Sequence, residues 1–297
     1  MENVKLRWDL ILKPYMDFID KNYPDITNGE KFRILVDRLT NNEIKNRVLL
    51  HDNNVVAYAF FVDSVYGDRC IGNIGFMDAK YCNEARLSNL ISWIELNSDG
   101  RSVFLDEIFN GADTVEAVLK SRGYSTLTRI RMTARLDSIP RKQADLPFVN
   151  FERKMIQEFS DAEYNAFAGV EDQVLLPRSR EMRIKYLADE IGGSETELIK
   201  DASFVLMDDK IRAGIISVKY RGSDDPYFSD IFVDPDYRRR GIASAMISTA
   251  AQKLMDLGYR SVALIVSENN PAIGLYRKMG FSDSGQRKYT IHYRIRP

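Results

Sequence analysis

One order of predicted elements occurs twice in this chain, and that repetition constrains the fold more than any other feature. In the first half, RVLLHDNNVVAYAFFVDS reads as strand–turn–strand around Asp52-Asn53-Asn54, and RCIGNIGFM as a third strand. EARLSNLISWIEL then reads as a helix, SVFLDEIF as a strand, and a second helix ends at Arg122 before Gly123-Tyr124. In the second half, ASFVLMDDKIRAGIISVKY forms a hairpin about Met207-Asp208-Asp209-Lys210, and YFSDIFVDP is a strand stopped by Pro235. Ile242, Met246, Ile247, Ala250 and Leu254 recur at helical spacing over 241–257, SVALIV follows as a buried strand, and a helix over 271–279 closes at Gly280. SDSGQRKYTIHYRIRP reads as a final strand pair. Gly280 lies 157 residues after Gly123, and Ser261-Val262 lies 159 residues after Ser102-Val103. Two anchors this close in offset imply internal duplication. The expectation is an α/β chain of two similar units, each a mixed sheet flanked by helices.

The segment LDSIPRKQADLPFVN, residues 136–150, has two prolines and no clear period, and it reads as a linker between units at 1–135 and 151–297. Lys plus Arg number 42 and Asp plus Glu 43, so bulk charge gives no support to nucleic acid or an anionic membrane as partner. Two cysteines, Cys70 and Cys82, cannot make a disulfide framework, and with only His51 and His292 no zinc spacing exists, so no metal is expected. The longest apolar run, VVAYAFFV, is far short of the ~20 residues of a membrane span, and the N-terminus mixes charges and a proline into its apolar residues, unlike a signal peptide. A cytoplasmic protein is the expectation. The histidines read as satisfied or solvated groups, and Trp8 and Trp93 as core or inter-domain anchors.

The residues that carry chemistry begin at IFVDPDYRRRGIASAM. A strand turns at Asp234-Pro235, and Arg238-Arg239-Arg240-Gly241-Ile242-Ala243-Ser244 opens a helix. The first helical turn has unpaired N–H groups that attract anions. Gly241 and Ala243 leave room for a phosphate to approach the backbone, and the arginines supply charge. Alone, the same residues also fit a basic surface turn. Further on, ENNPAIGLYRKMGF sets Asn269 before a helix that carries Ala272, Leu275 and Tyr276 and ends in Gly-Phe.

Together these two motifs resemble the GNAT superfamily of acyl-CoA-dependent N-acetyltransferases. Arg238, Gly241 and Ala243 match its pyrophosphate signature, and Asn269, Ala272, Leu275, Tyr276, Gly280 and Phe281 match its second signature. The resemblance implies acetyl-CoA as cosubstrate and direct transfer to an amine in a ternary complex. It implies that the strand Ile231-Phe232-Val233 exposes backbone to the pantetheine arm, with Phe232 and Val233 foremost. The loop 238–244 would hold the pyrophosphate, Asn269 would bond the pantetheine, and Tyr276 would protonate the departing thiolate. Backbone donors suit the oxyanion of a thioester under attack, and a phenol suits a thiolate leaving group.

The base is less marked. Asp230, two residues before Phe232, is the candidate, and Glu268 is a second. Family members that acetylate ribosomal protein N-termini usually carry Glu five residues before the asparagine, where this chain has Leu264. At an offset of 157, Tyr276, Asn269, Gly241 and Arg238 fall on Leu119, Ala112, Glu84 and Tyr81. The first half therefore reads as a degenerate copy that walls the acceptor site or stabilises the active unit. The acceptor is a small-molecule amine or a peptide or protein amine. Two alternatives stand beside this reading: a longer acyl-CoA as donor, and a non-catalytic acyl-CoA sensor. The oligomeric state is not written in the sequence.

Overall fold

Tight turns and helix caps set the boundaries of the elements. In the computed structural model, which describes residues 6–22, 29–142, 146–193, 195–221, 223, 225–286 and 288–296, Asp52 and Asn53 have φ of 50° and 62°. That left-handed pair is what a two-residue hairpin requires, and it joins β1 (Asn46–His51) to β2 (Asn54–Asp63). The chain forms two compact units, Met1–Thr128 with Tyr289–Pro297, and Arg129–Lys288.

The first unit starts with α1 (Trp8–Asn22) and α2 (Gly29–Thr40). After the hairpin come β3 (Arg69–Phe76), α3 (Glu84–Asn97), β4 (Ser102–Asp106), α4 (Thr114–Ser121) and the first residues of β5 (Ser125–Arg135). Its sheet runs β1-β2-β3-β4-β13, where β13 (Tyr289–Arg294) is the last strand of the chain. Only the β3–β4 pair is parallel. Trp8, Leu12 and Leu39 cover one face against Tyr58 and Phe60. Leu87, Leu90, Ile91 and Ile94, one stripe of α3, cover the other.

The second unit continues with β6 (Phe148–Asn150), α5 (Ile156–Ala166), α6 (Arg180–Gly192), β7 (Thr196–Leu198), β8 (Phe204–Asp208) and β9 (Lys210–Tyr220). Then follow β10 (Pro226–Val233), α7 (Ile242–Asp256), β11 (Ser261–Ser267), α8 (Ile273–Lys278) and β12 (Ser282–Asp283). Its sheet order is β5-β11-β10-β9-β8-β6, with β7 on β9 and β12 on β5. The β10–β11 pair is parallel, as β3–β4 is in the first unit. The periodic residues of α7 pack on one face, while Phe159 of α5 and Leu187 and Ile191 of α6 pack on the other. Both units are thus mixed sheets with helices on each side.

The helix ends repeat in atomic detail. The Tyr124 amide bonds the Leu119 carbonyl and the Phe281 amide bonds the Tyr276 carbonyl, both at 3.0 Å, each across a glycine of positive φ. Leu119 is therefore the counterpart of Tyr276. α7 starts 158 residues after α3, so the counterpart of Gly241 is Asn83 and not Glu84.

Two expectations change. In the segment read as linker, Leu136 and Ile139 are buried and Phe148–Asn150 pairs with β8, because its apolar residues find core to join; residues 143–145 lie outside the described set. The closing strands are not a hairpin, since β12 pairs with β5 and β13 with β4. Helices α1, α2, α5 and α6 had no reading from sequence. Among the described residues no helix is long and apolar enough to cross a membrane.

Candidate active site

The second unit opens where β10 and β11 part. The two strands pair only at Tyr227 and Ala263, and a bulge between Phe228 and Asp230 re-aims β10 against β9. The Asp234 amide bonds the Arg212 carbonyl at 2.7 Å. Hydrogen-bonding residues alternate along an antiparallel ladder, so Phe232 and Asp230 also turn their peptide groups toward β9. Ile231 and Val233 turn theirs to the edge that β11 has left. Phe232, expected to offer backbone there, instead faces β9 and packs its ring against Phe159 at 4.9 Å between centroids.

Beyond this edge the chain makes an anion cradle. Arg239 and Gly241 have φ of 64° and 79°, and nothing lies within 4 Å of a Cβ built on Gly241. α7 starts without a side-chain cap, so its first N–H groups point into open space. The three arginines differ. Arg238 donates to the Val233 carbonyl at 3.1 Å and to the Ala166 carbonyl at 2.5 Å. Arg240 donates to the Asp236 carbonyl at 2.9 Å and stacks over Tyr237 at 4.8 Å. Arg239 has no bonded partner among the described residues, which leaves its charge for a ligand. An open strand edge leading to unbonded N–H groups and a free guanidinium fits an extended amide-bearing arm ending in a diphosphate.

The first unit has closed the same place. Its β3 and β4 pair over four residues, and Phe109 continues the ladder, accepting from the Phe76 amide at 3.0 Å and donating to the Ile74 carbonyl at 3.1 Å. The start of α3 is capped by the Asn83 side chain, which accepts from the Arg86 amide at 3.0 Å. No strand edge and no bare helix start are left for a ligand in that position.

On α8, Tyr276 is 7% exposed. Burial raises its phenol above the ordinary tyrosine range, with Asp172 adding to the rise and Arg129 opposing it, so the hydroxyl holds its proton. Asn269 is exposed and bonds no described residue, whereas Asn270 donates to Asp172 at 2.8 Å and accepts from the Ala272 amide at 2.8 Å.

Asp230 is 8% exposed and accepts from Ser229 Oγ at 2.7 Å. Facing it is Glu163 of α5, which sequence reasoning missed and which is 3% exposed. Burial raises the Glu163 carboxyl well above the carboxylate range, and Asp230, to which it is hydrogen-bonded, adds to the rise. Glu190 of α6 is pushed up to about 7 by burial and by Asp230, and Tyr220 donates to it at 3.0 Å. The signal was available: Phe159, Ser160, Glu163 and Ala166 form the buried stripe of α5, so a carboxyl sits on an apolar face. Glu268, by contrast, is half exposed and paired with Lys288 at 2.5 Å. Among the described residues, no group of three or more His, Cys, Asp or Glu is arranged to hold a metal ion.

Residues 171–281 match the model of the acetyltransferase (GNAT) family. Mycothiol acetyltransferase of Corynebacterium aurimucosum is 32% identical over 74 residues, covering 24% of this chain and 24% of that protein. Human N-acetyltransferase 8 is 38% identical over 66 residues, covering 22% of this chain and 29% of the relative. The chain thus matches only about a quarter of the length of these relatives. A solved GCN5-related N-acetyltransferase from Sphaerobacter thermophilus superposes with a TM-score of 0.55 at 18% identity, covering 85% of this chain and 81% of that one, and so shares its fold.

Proposed function

We propose that this chain, whose residues 171–281 match the model of the GNAT acetyltransferase family, transfers an acetyl group from acetyl-CoA to a primary amine. The observation that carries this reading is the parted β10–β11 edge beside the uncapped start of α7, present in the second unit and sealed in the first. Bound acetyl-CoA supplies the thioester acyl group and a thiolate leaving group. The α7 N–H groups and Arg239 hold the diphosphate, and the peptide groups of Ile231 and Val233 bond the pantetheine arm. A backbone N–H on this edge stabilises negative charge on the carbonyl oxygen under attack.

The incoming ammonium loses its proton, through water, to the carboxyl pair of Asp230 and Glu163. Burial and the neighbouring Asp230 hold Glu163 toward its protonated form, so the two carboxyls share a hydrogen bond at the point where the incoming proton is received. The amine nitrogen then bonds the carbonyl carbon, the C–S bond breaks as Tyr276 gives its phenolic proton to the sulfur, and the second proton on the nitrogen passes through water to the Tyr276 oxygen. No covalent enzyme intermediate is needed. The first unit, whose counterpart of Tyr276 is Leu119, serves as a non-catalytic partner.

Thiol release from acetyl-CoA, measured across peptides, polyamines, aminoglycosides and amino acids, tests this directly. At least one amine should be acetylated, and Tyr276→Phe should lower kcat by about 10²-fold or more with CoA affinity little changed. Tight CoA binding without turnover on any acceptor points instead to a sensor. Preference for longer acyl thioesters in the same assay would redefine the donor.

A further inference from the structure

Asp172 is a buried acid that the transfer just described does not use. It lies in the short 3-10 turn Glu171–Leu175 between α5 and α6 and is 7% exposed. One carboxylate oxygen accepts from Arg129 Nη1 at 2.5 Å and from Ser267 Oγ at 2.6 Å. The other accepts from Asn270 Nδ2 at 2.8 Å. The donors come from β5, from the last residue of β11 and from the turn that begins α8, so a single side chain joins four segments. Arg129 adds a bond from Nη2 to the Ile265 carbonyl at 3.1 Å, which fixes the guanidinium along β11.

The link to the proton donor is short. Asn270 Oδ1 accepts from the Ala272 amide at 2.8 Å, and the Asn270 carbonyl accepts from the Ile273 amide at 3.1 Å. The Tyr276 amide in turn bonds the Ala272 carbonyl at 3.0 Å. Hydrogen bonds therefore run from Asp172 through Asn270 into the first turn of α8 and on to Tyr276. Asp172 and Arg129 are also the two charged groups that act on the phenol. α8 has only six residues and no side-chain cap of its own at Ala272, so its placement depends on this anchor.

We propose that Asp172 is a positioning residue for acyl transfer: it anchors the start of α8 through Asn270 and thereby ties the turn that follows α5, the helix bearing Glu163, to the helix bearing the proton donor. This rests on Tyr276 being that donor. A charge swap tests it. Asp172→Asn leaves one acceptor oxygen for the three donors Arg129, Ser267 and Asn270 and strands the Arg129 charge, while Asn270→Asp sets two carboxylates together. The double variant restores a donor and an acceptor across the same gap and keeps one negative charge beside Arg129.

Each single variant should lower kcat about tenfold with the KM for acetyl-CoA unchanged, and the double variant should recover most of the loss. Amide hydrogen exchange at residues 272–276 should quicken in the single variants and slow again in the double. If a single variant does not fold, Asn270→Ala, which removes the bridge without moving a charge, should show the same kcat loss and faster exchange. Folded variants with the parent kcat and parent exchange overturn the proposal, as does a double variant no better than either single one. The exchange arm needs no turnover, and loss of the donor assignment would show separately, as full kcat in Tyr276→Phe.

Discussion

Glu163, Asp230 and Glu190 bring three carboxyl groups together beneath α5 and α6, and two of them are held toward the neutral form. For Glu190, raised to about 7, the consequence for stability has a definite sign. Well below the ordinary Glu range both folded and unfolded chains bind the proton, and nothing is gained or lost. As pH rises, the unfolded chain ionises first and is favoured, so stability falls until the folded group also ionises near 7. Glu190→Gln removes this loss. Denaturant unfolding should find the variant about 2–3 kcal/mol more stable than the parent at about pH 8, with little difference at about pH 5. Asp230 was legible because it lies on the strand that leads into the first motif, two residues before Phe232. Glu163 was marked only by its place on an apolar helix face and Glu190 by nothing, because neither helix carries a motif and their partner is distant in sequence.

The starts of α7 and α3 show what the repeat kept and what it changed. Both helices follow a strand, but Gly241 leaves bare amides where Asn83 supplies its own acceptor. Gly241→Glu has open space for its side chain, and only the left-handed backbone costs it, roughly 1–2 kcal/mol. Calorimetry should therefore find a folded protein that no longer binds CoA, since a carboxylate stands where the diphosphate would sit. Asn83→Ala should cost about 1 kcal/mol of stability and create no new CoA site, because the β3 edge stays paired through Phe109. Periodicity placed α7 and α8 well, since their apolar residues face one core. It gave nothing for α6. α6 buries Arg183 with Leu187 and Ile191 and shows no clean apolar stripe, whereas Phe32, Leu35, Val36 and Leu39 of α2 do recur at helical spacing and pack on one core. The parting of β10 from β11 was likewise hidden, because strand separation depends on pairing and the residues themselves remain β-formers.

At the scale of the whole molecule, two similar units predict unequal binding. Titration should give one CoA per chain, and Gly241→Glu should remove all of it; a second site surviving that substitution would contradict the sealed edge of the first unit. The duplication itself was visible in the spacing of Gly123 and Gly280, which share a helix-end hydrogen-bond pattern. Which strand completes which sheet was not, because a strand's pattern records burial on its two faces and says nothing of its neighbour. Most residues of the first unit precede the second, yet its β4 takes a partner in β13, which follows the second unit in the sequence. During synthesis the ribosome therefore releases that sheet with an open edge, and the edge stays available to other chains until residues 289–294 emerge. The unit whose strands come earlier in the sequence is thus completed only after the second unit has been translated.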